Sequence, residues 1–107
     1  MPFDVVFTED AERQLHAMPA RDRRIIEDAV EDKLVHQPTA ESRALKSLRP
    51  NRFAEYELRV GDFRVLYRVD AGLSEVLVAA VGVKVGNKLF VEGSEFHEHH
   101  AEPGDTD

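Results

Sequence analysis

The sequence predicts an α+β domain: a mostly antiparallel sheet, built from an N-terminal strand and a C-terminal meander, with two N-terminal helices packed on one face. Three observations carry this prediction. Residues 56–60 and 63–69 alternate apolar and polar side chains with period 2, the mark of strands that bury one face. Gly61-Asp62 supplies the turn between them, and Asp70-Ala71-Gly72 separates them from the nearly all-apolar run 76–81. Upstream, Ala11, Leu15 and Met18, then Ile26, Val30 and Leu34, recur at helical spacing.

Taken in order, residues 3–7 (FDVVF) read as a short strand that joins the meander. Thr8 follows as a helix N-cap, with Glu9 and Asp10 in the first turn, where the helix dipole favours negative charge. Pro19 ends this helix. A second helix is predicted over 22–36, its apolar stripe on the sheet and its charged residues outward; Gln37-Pro38 stops it. Residues 39–52 read as a connecting loop, in which 44–48 form a short extended or helical piece tucking Leu45 and Leu48 under the sheet edge. After the meander, Gly86-Asn87 signals a turn or bulge, and 89–91 either return to the sheet or begin a terminal helix. The domain is expected over 1–95, and residues 96–107 read as an acidic, disordered tail.

Composition limits the function classes. A chain of 107 residues with 42% hydrophobic and 33% charged residues fits one folded, soluble domain. No apolar run approaches the roughly 18 residues that cross a membrane, and the N-terminus lacks a secretory pattern, so a cytoplasmic protein without membrane contact is expected. The absence of cysteine excludes disulfides and thiolate zinc sites. The net charge is −7, of which the tail carboxylates Glu98, Glu102, Asp105 and Asp107 leave −3 for residues 1–95. A generic basic nucleic-acid binder is therefore excluded, and any RNA or DNA contact must come from a local patch. His97-Glu98-His99-His100 offers metal-binding side chains without a spacing that fixes a coordination geometry, so no metal and no cofactor are expected.

The element order, together with ELRVGDFRVLY at residues 57–67, VGVK at 81–84, NKLF at 87–90 and ALKSL at 44–48, resembles the RelE/ParE superfamily of bacterial type II toxins. The resemblance covers about residues 3–93. It implies a RelE-like fold and a cognate antitoxin protein as partner. RelE-like members act on the ribosome and mRNA, where the RNA 2′-OH attacks the adjacent phosphate. That chemistry needs a base, cations for the extra phosphate charge, and an acid for the leaving oxygen. ParE-like members inhibit DNA gyrase instead and need no nuclease residues.

The resemblance places the family's functional positions on Arg59 and Arg64, with Lys84 and Lys88 standing in for a late arginine near Gly86 and Phe90 standing where a tyrosine is usual. The lysine pair of the first meander strand falls near Glu55 and Glu57, reversing the charge. The expected catalytic set is thus Arg64, Arg59, Lys84, Lys88 and Glu57, the last as a base with Glu55 its rival. The expected RNA contacts are Arg64, Lys84, Lys88 and a stacking Phe90. Each has a structural alternative: arginines snorkelling on a solvated strand face, an ion pair of Arg59 with Glu57 or Asp62, and Phe90 in the core. The first activity the resemblance implies is ribosome-dependent mRNA cleavage. Gyrase inhibition is the first alternative. The second is a protein-binding module without nuclease chemistry, suggested by the acidic balance, Glu55, Glu57 and Phe90.

Overall fold

In the computed structural model, which describes residues 2–96, the chain runs β1 (Asp4–Phe7), α1 (Glu9–His16), α2 (Ala20–Leu34), β2 (Leu45–Ser47), β3 (Tyr56–Val60), β4 (Phe63–Asp70), β5 (Glu75–Val85), β6 (Lys88–Val91) and β7 (Ser94–Phe96). The strands form one sheet in the order β2-β3-β4-β5-β6-β7, all antiparallel along this path, with β1 added parallel to β5. The α+β architecture with two helices on one face is as predicted.

Local chemistry accounts for most boundaries. Thr8 caps α1, its hydroxyl oxygen accepting from the Ala11 amide at 3.1 Å. The β3–β4 turn carries Gly61 at φ 60°, and the β5–β6 turn Gly86 at φ 62°, conformations that glycine adopts without steric cost. Glu92-Gly93, both at positive φ, close a β6–β7 hairpin that the sequence did not announce. Arg13 on α1 ties this hairpin to the helical layer, pairing with Glu92 at 2.9 Å and with Asp10 at 2.8 Å.

The helix-facing side of the sheet holds the main core. Leu58, Val65, Tyr67, Val76, Val78 and Val81 pack under Leu15, Ile26, Val30 and Leu34. The opposite side carries no helix among the described residues. There a smaller cluster of Ala54, Leu66, Ala80 and Leu89 is covered by the loop residue Phe53 and by Phe96, whose rings lie 5.0 Å apart. Phe96, expected at the start of the tail, is therefore the last residue of β7; residues 97–107, with the histidine cluster, lie outside the described residues.

Of the two alternatives for 44–48, the extended one holds: residues 45–47 form β2, and Leu45 and Leu48 enter the clusters on opposite faces of the sheet. The central strand also runs on through Gly82 to Val85, four residues past the apolar run. Gly82 permits this, because a Cβ there would stand 2.5 Å from the Phe90 carbonyl oxygen and 2.9 Å from Val91 Cγ2. Replacing Gly82 with alanine should destabilise the fold by about 1–3 kcal/mol through forced backbone displacement. A lowered urea midpoint at unchanged slope would show it; an unchanged midpoint would mean that β6 yields freely.

β1 and β6 share one edge of β5, β1 along residues 75–78 and β6 along 83–85. The gap between them is sealed from α1. The buried Gln14 side chain accepts from the Val81 amide at 2.8 Å, and the Thr8 hydroxyl donates to the Ala79 carbonyl at 3.4 Å. A polar residue on the inner face of α1 thus satisfies an amide that no strand reaches.

Candidate functional site

The helix-free face carries a pocket of about 170 Å³ lined by Arg43, Ala44, Lys46, Glu57, Arg59, Arg64 and Lys84. Five cations and one carboxylate meet there in a chain whose net charge is −7. Strand register explains the convergence. Arg59 lies directly opposite Arg64, Arg64 opposite Gly82, and Lys46 opposite Glu57. Side chains opposite one another on antiparallel strands share a face.

A β-bulge completes the set. Leu66 pairs with Ala80 but Tyr67 pairs with Val78, so Ala79 is an extra residue on β5. Without it the alternation that buries Val76 and Val78 would bring Lys84 to the helix side. With it, Val81 joins the main core and Lys84 reaches the pocket.

Arg64 is only 8% exposed. Its Nη1 donates to the carbonyls of Gly61 at 2.9 Å and Phe63 at 2.8 Å, which fixes the guanidinium against the β3–β4 turn. Its Nε and Nη2 have no protein acceptor among the described residues, yet no buried side-chain nitrogen is left unsatisfied. These two donors therefore open into the pocket. Glu57, 6% exposed, lies at the pocket floor with Lys46 Nζ 3.5 Å from its Oε1. Among the described residues no carboxylate pairs with Arg43, Arg59, Arg64 or Lys84. Like charges directly opposite each other destabilise a sheet, so Arg59 facing Arg64 without a counter-charge describes a site shaped for an anion.

The structure brings together Arg59, Arg64, Lys84 and Glu57 of the residues singled out in the sequence. It does not bring Lys88 or Phe90 to them. Lys88 pairs with Val85 at the end of the sheet and is exposed. Phe90 lies opposite Val83 and faces α1 and the α1–α2 turn, in a separate groove with Ala17, Met18 and Phe63. Glu55, the rival base, is committed elsewhere, its Oε1 accepting from the Val69 amide at 2.9 Å. Arg43 and Lys46 are pocket residues that the sequence reading placed in the connecting loop. The signal was present in ALKSL, whose Lys46 takes a fixed position once 45–47 is recognised as a strand paired with β3. Among the described residues there is no cluster of metal-ligating side chains, and no helix is long and apolar enough to cross a membrane.

Comparison with known proteins gives this arrangement a family. Residues 5–83 match the model of the ParE toxin of type II toxin–antitoxin systems. The chain is 32% identical over 81 residues to toxin RelG of Mycobacterium tuberculosis, covering 76% of this chain and 90% of that protein. Among solved structures it is similar to the RelBE2 toxin–antitoxin complex of the same organism, at TM-score 0.69 and 30% identity over 78% of this chain and 93% of that one. The isolated RelE toxin of Escherichia coli shares the fold at TM-score 0.62, with 20% identity over 78% of this chain and 85% of that one. With the family model spanning most of the chain, a helix-backed antiparallel sheet and a cationic pocket on its open face, this protein belongs to the RelE/ParE superfamily of toxins of type II toxin–antitoxin systems.

Proposed function

We propose that this toxin, held in check by a cognate antitoxin, inhibits translation by cleaving mRNA on the ribosome in the cytoplasm. The observation that carries the reading is the gathering of five cations and one buried carboxylate in a single pocket of an otherwise acidic chain. In-line attack of a 2′-oxygen on the neighbouring phosphorus forms a 2′,3′-cyclic phosphate and breaks the bond to the 5′-oxygen. Glu57 takes the 2′-OH proton, and a pocket water returns one to the leaving oxygen. Arg59, Arg64 and Lys84 hold the phosphate and stabilise its added charge, with Arg64 pre-set by its two turn carbonyls. The pocket needs no cofactor for this chemistry.

The test is a cell-free translation reaction with a defined mRNA, in which RNA ends are mapped with and without ribosomes. Cuts that appear only on translating ribosomes, and that fall by about 10²–10⁴-fold with Glu57→Gln, are the expected result. Intact mRNA under active toxin would overturn the reading.

The family model that matches is named for ParE, which favours gyrase inhibition as the second reading. That reading expects loss of DNA supercoiling by gyrase in the presence of the purified chain, and no RNA cuts.

A further inference from the structure

We infer that the open face of the sheet is a self-association surface: two copies of this chain lie face to face about a two-fold axis, the cationic end of each over an acidic end of the other. Only the charge of the cationic pocket matters here, not the ligand it acts on.

The open face is divided by sign along its strands. On β4, Arg64 stands near one end and Asp70 at the other, six positions apart, so their side chains share a face about 20 Å apart. On β5, Lys84 and Glu75 repeat the division. Asp70 lies opposite Glu75, and Glu75 opposite Asp4 on β1, which lines three carboxylates across three strands. Glu55 and Arg68 adjoin Asp70 and Glu75 in a hollow of about 370 Å³. One end thus gathers four carboxylates and one cation, the other five cations and one carboxylate. Among the described residues, Asp4, Arg68, Asp70 and Glu75 make no ion pair. Like charges facing each other across strands destabilise a sheet, so each end is completed by a counter-charge from outside the chain.

Between the ends the face is apolar. Leu66 and Ala80 lie beneath Phe53 and Phe96, and the next row holds Leu77 and Val6, the latter 42% exposed. An apolar centre with charged flanks is the layout of a protein–protein interface. In a two-fold interface one patch serves both copies, so it must carry both halves of each contact, as this face does. A half-turn about an axis across the middle of β4 reverses the strand direction. It sets the Arg64 end of each copy over the Asp70 end of the other, and the free Nε and Nη2 donors of Arg64 then meet carboxylates. A partner of uniform charge would complete one end only. Association closes the cationic pocket, so the dimer is a resting form that must part before the pocket takes another anion.

The plainer account of the acidic end is solubility. That account explains the exposed Asp4 and Asp70. It does not explain why the half-buried Glu75 is faced by a carboxylate on both sides and by no cation.

The test is sedimentation velocity of the purified full chain over a range of concentration, at low and high salt. The wild type should pass from monomer to dimer as concentration rises, and salt should oppose the change. Asp4→Lys with Glu75→Lys, which reverses the acidic end, should weaken self-association by at least about tenfold. Arg43→Glu with Arg59→Glu, which offsets the cationic end, should do the same. Mixed in equal amounts, the two double variants should form a heterodimer near wild-type affinity, because the two-fold then pairs altered end with altered end and native end with native end. Asp4→Lys with Asp70→Lys repeats the acidic reversal at two exposed positions, and thermal melts show that each variant is folded. Arg24→Glu, on the exposed face of α2, should sediment as wild type. A wild type that stays monomeric at every concentration would overturn the inference and leave the acidic end to the antitoxin. Dimers that persist in both double variants, or no recovery on mixing, would overturn it too.

Discussion

Arg64→Ala is expected to lower ribosome-dependent cleavage by about 10²–10³-fold, the usual consequence of removing one preorganised donor from a developing oxyanion. The reason is the way the side chain is held. Nη1 is occupied by the Gly61 and Phe63 carbonyls, so the fork is oriented before any ligand arrives, and Nε and Nη2 are left to meet phosphate. A lysine at this position keeps the charge but cannot hold two carbonyls and grip a phosphate through a planar fork. Arg64→Lys should therefore recover only a small part of the activity. The fold should survive, because Gly61 is exposed and the freed turn carbonyls can bond to water. The measurement is cleavage rate beside a thermal melt for each variant. Wild-type cleavage by folded Arg64→Ala would remove Arg64 from the chemistry.

The second large effect is on stability. Tyr67 is completely buried in the main core, stacked 5.5 Å from Tyr56, with its hydroxyl donating to the Pro38 carbonyl at 2.6 Å. That bond pins the connection after α2 to the centre of the sheet. Tyr67→Ala should cost about 3–5 kcal/mol, a large share of the 5–15 kcal/mol typical of a small domain. Tyr67→Phe keeps the ring but strands the carbonyl of buried Pro38, costing about 1–3 kcal/mol. Urea unfolding reads both, and equal stability of Tyr67→Phe and wild type would mean that water replaces the lost donor.

The same residue sets an alkaline limit. Burial pushes the Tyr67 phenol well above its ordinary range, and neighbouring Tyr56 adds to the shift in the same direction. The folded state keeps its proton when the unfolded state, titrating near pH 10, releases it. The unfolded state then binds fewer protons, so stability is full below about pH 10 and declines as pH rises through the folded value. Unfolding free energy measured from pH 9 to 11 should fall in wild type and fall less in Tyr67→Phe. Parallel curves would assign the alkaline loss to other groups.

Much of this protein was legible one residue at a time. Alternation in 56–60 and 63–69, the glycine turns, and the Thr8 cap are local signals, and the structure reproduces each where it was read. The helix boundaries differ by two residues, α1 ending at His16 although its apolar stripe reaches Met18, and α2 covering Ala20–Leu34. The family resemblance pointed to Arg59, Arg64 and Lys84, which the structure places in one pocket.

What the sequence by itself determined was the run from β1 through the two helices to the β3–β5 meander, the helix-facing apolar set and the family. What only the tertiary structure decided was which charged side chains share a face. An all-apolar strand has no alternation to read, so the bulge at Ala79, which shifts the facing of everything after it, leaves no mark in residue type. The same register sends Phe90 to the helix side and Lys84 to the pocket, though they lie six positions apart. Arg43 and Lys46 join the site only because a three-residue edge strand pairs with β3. That pairing is a long-range hydrogen-bonding choice, made by the completed sheet and not by the segment alone.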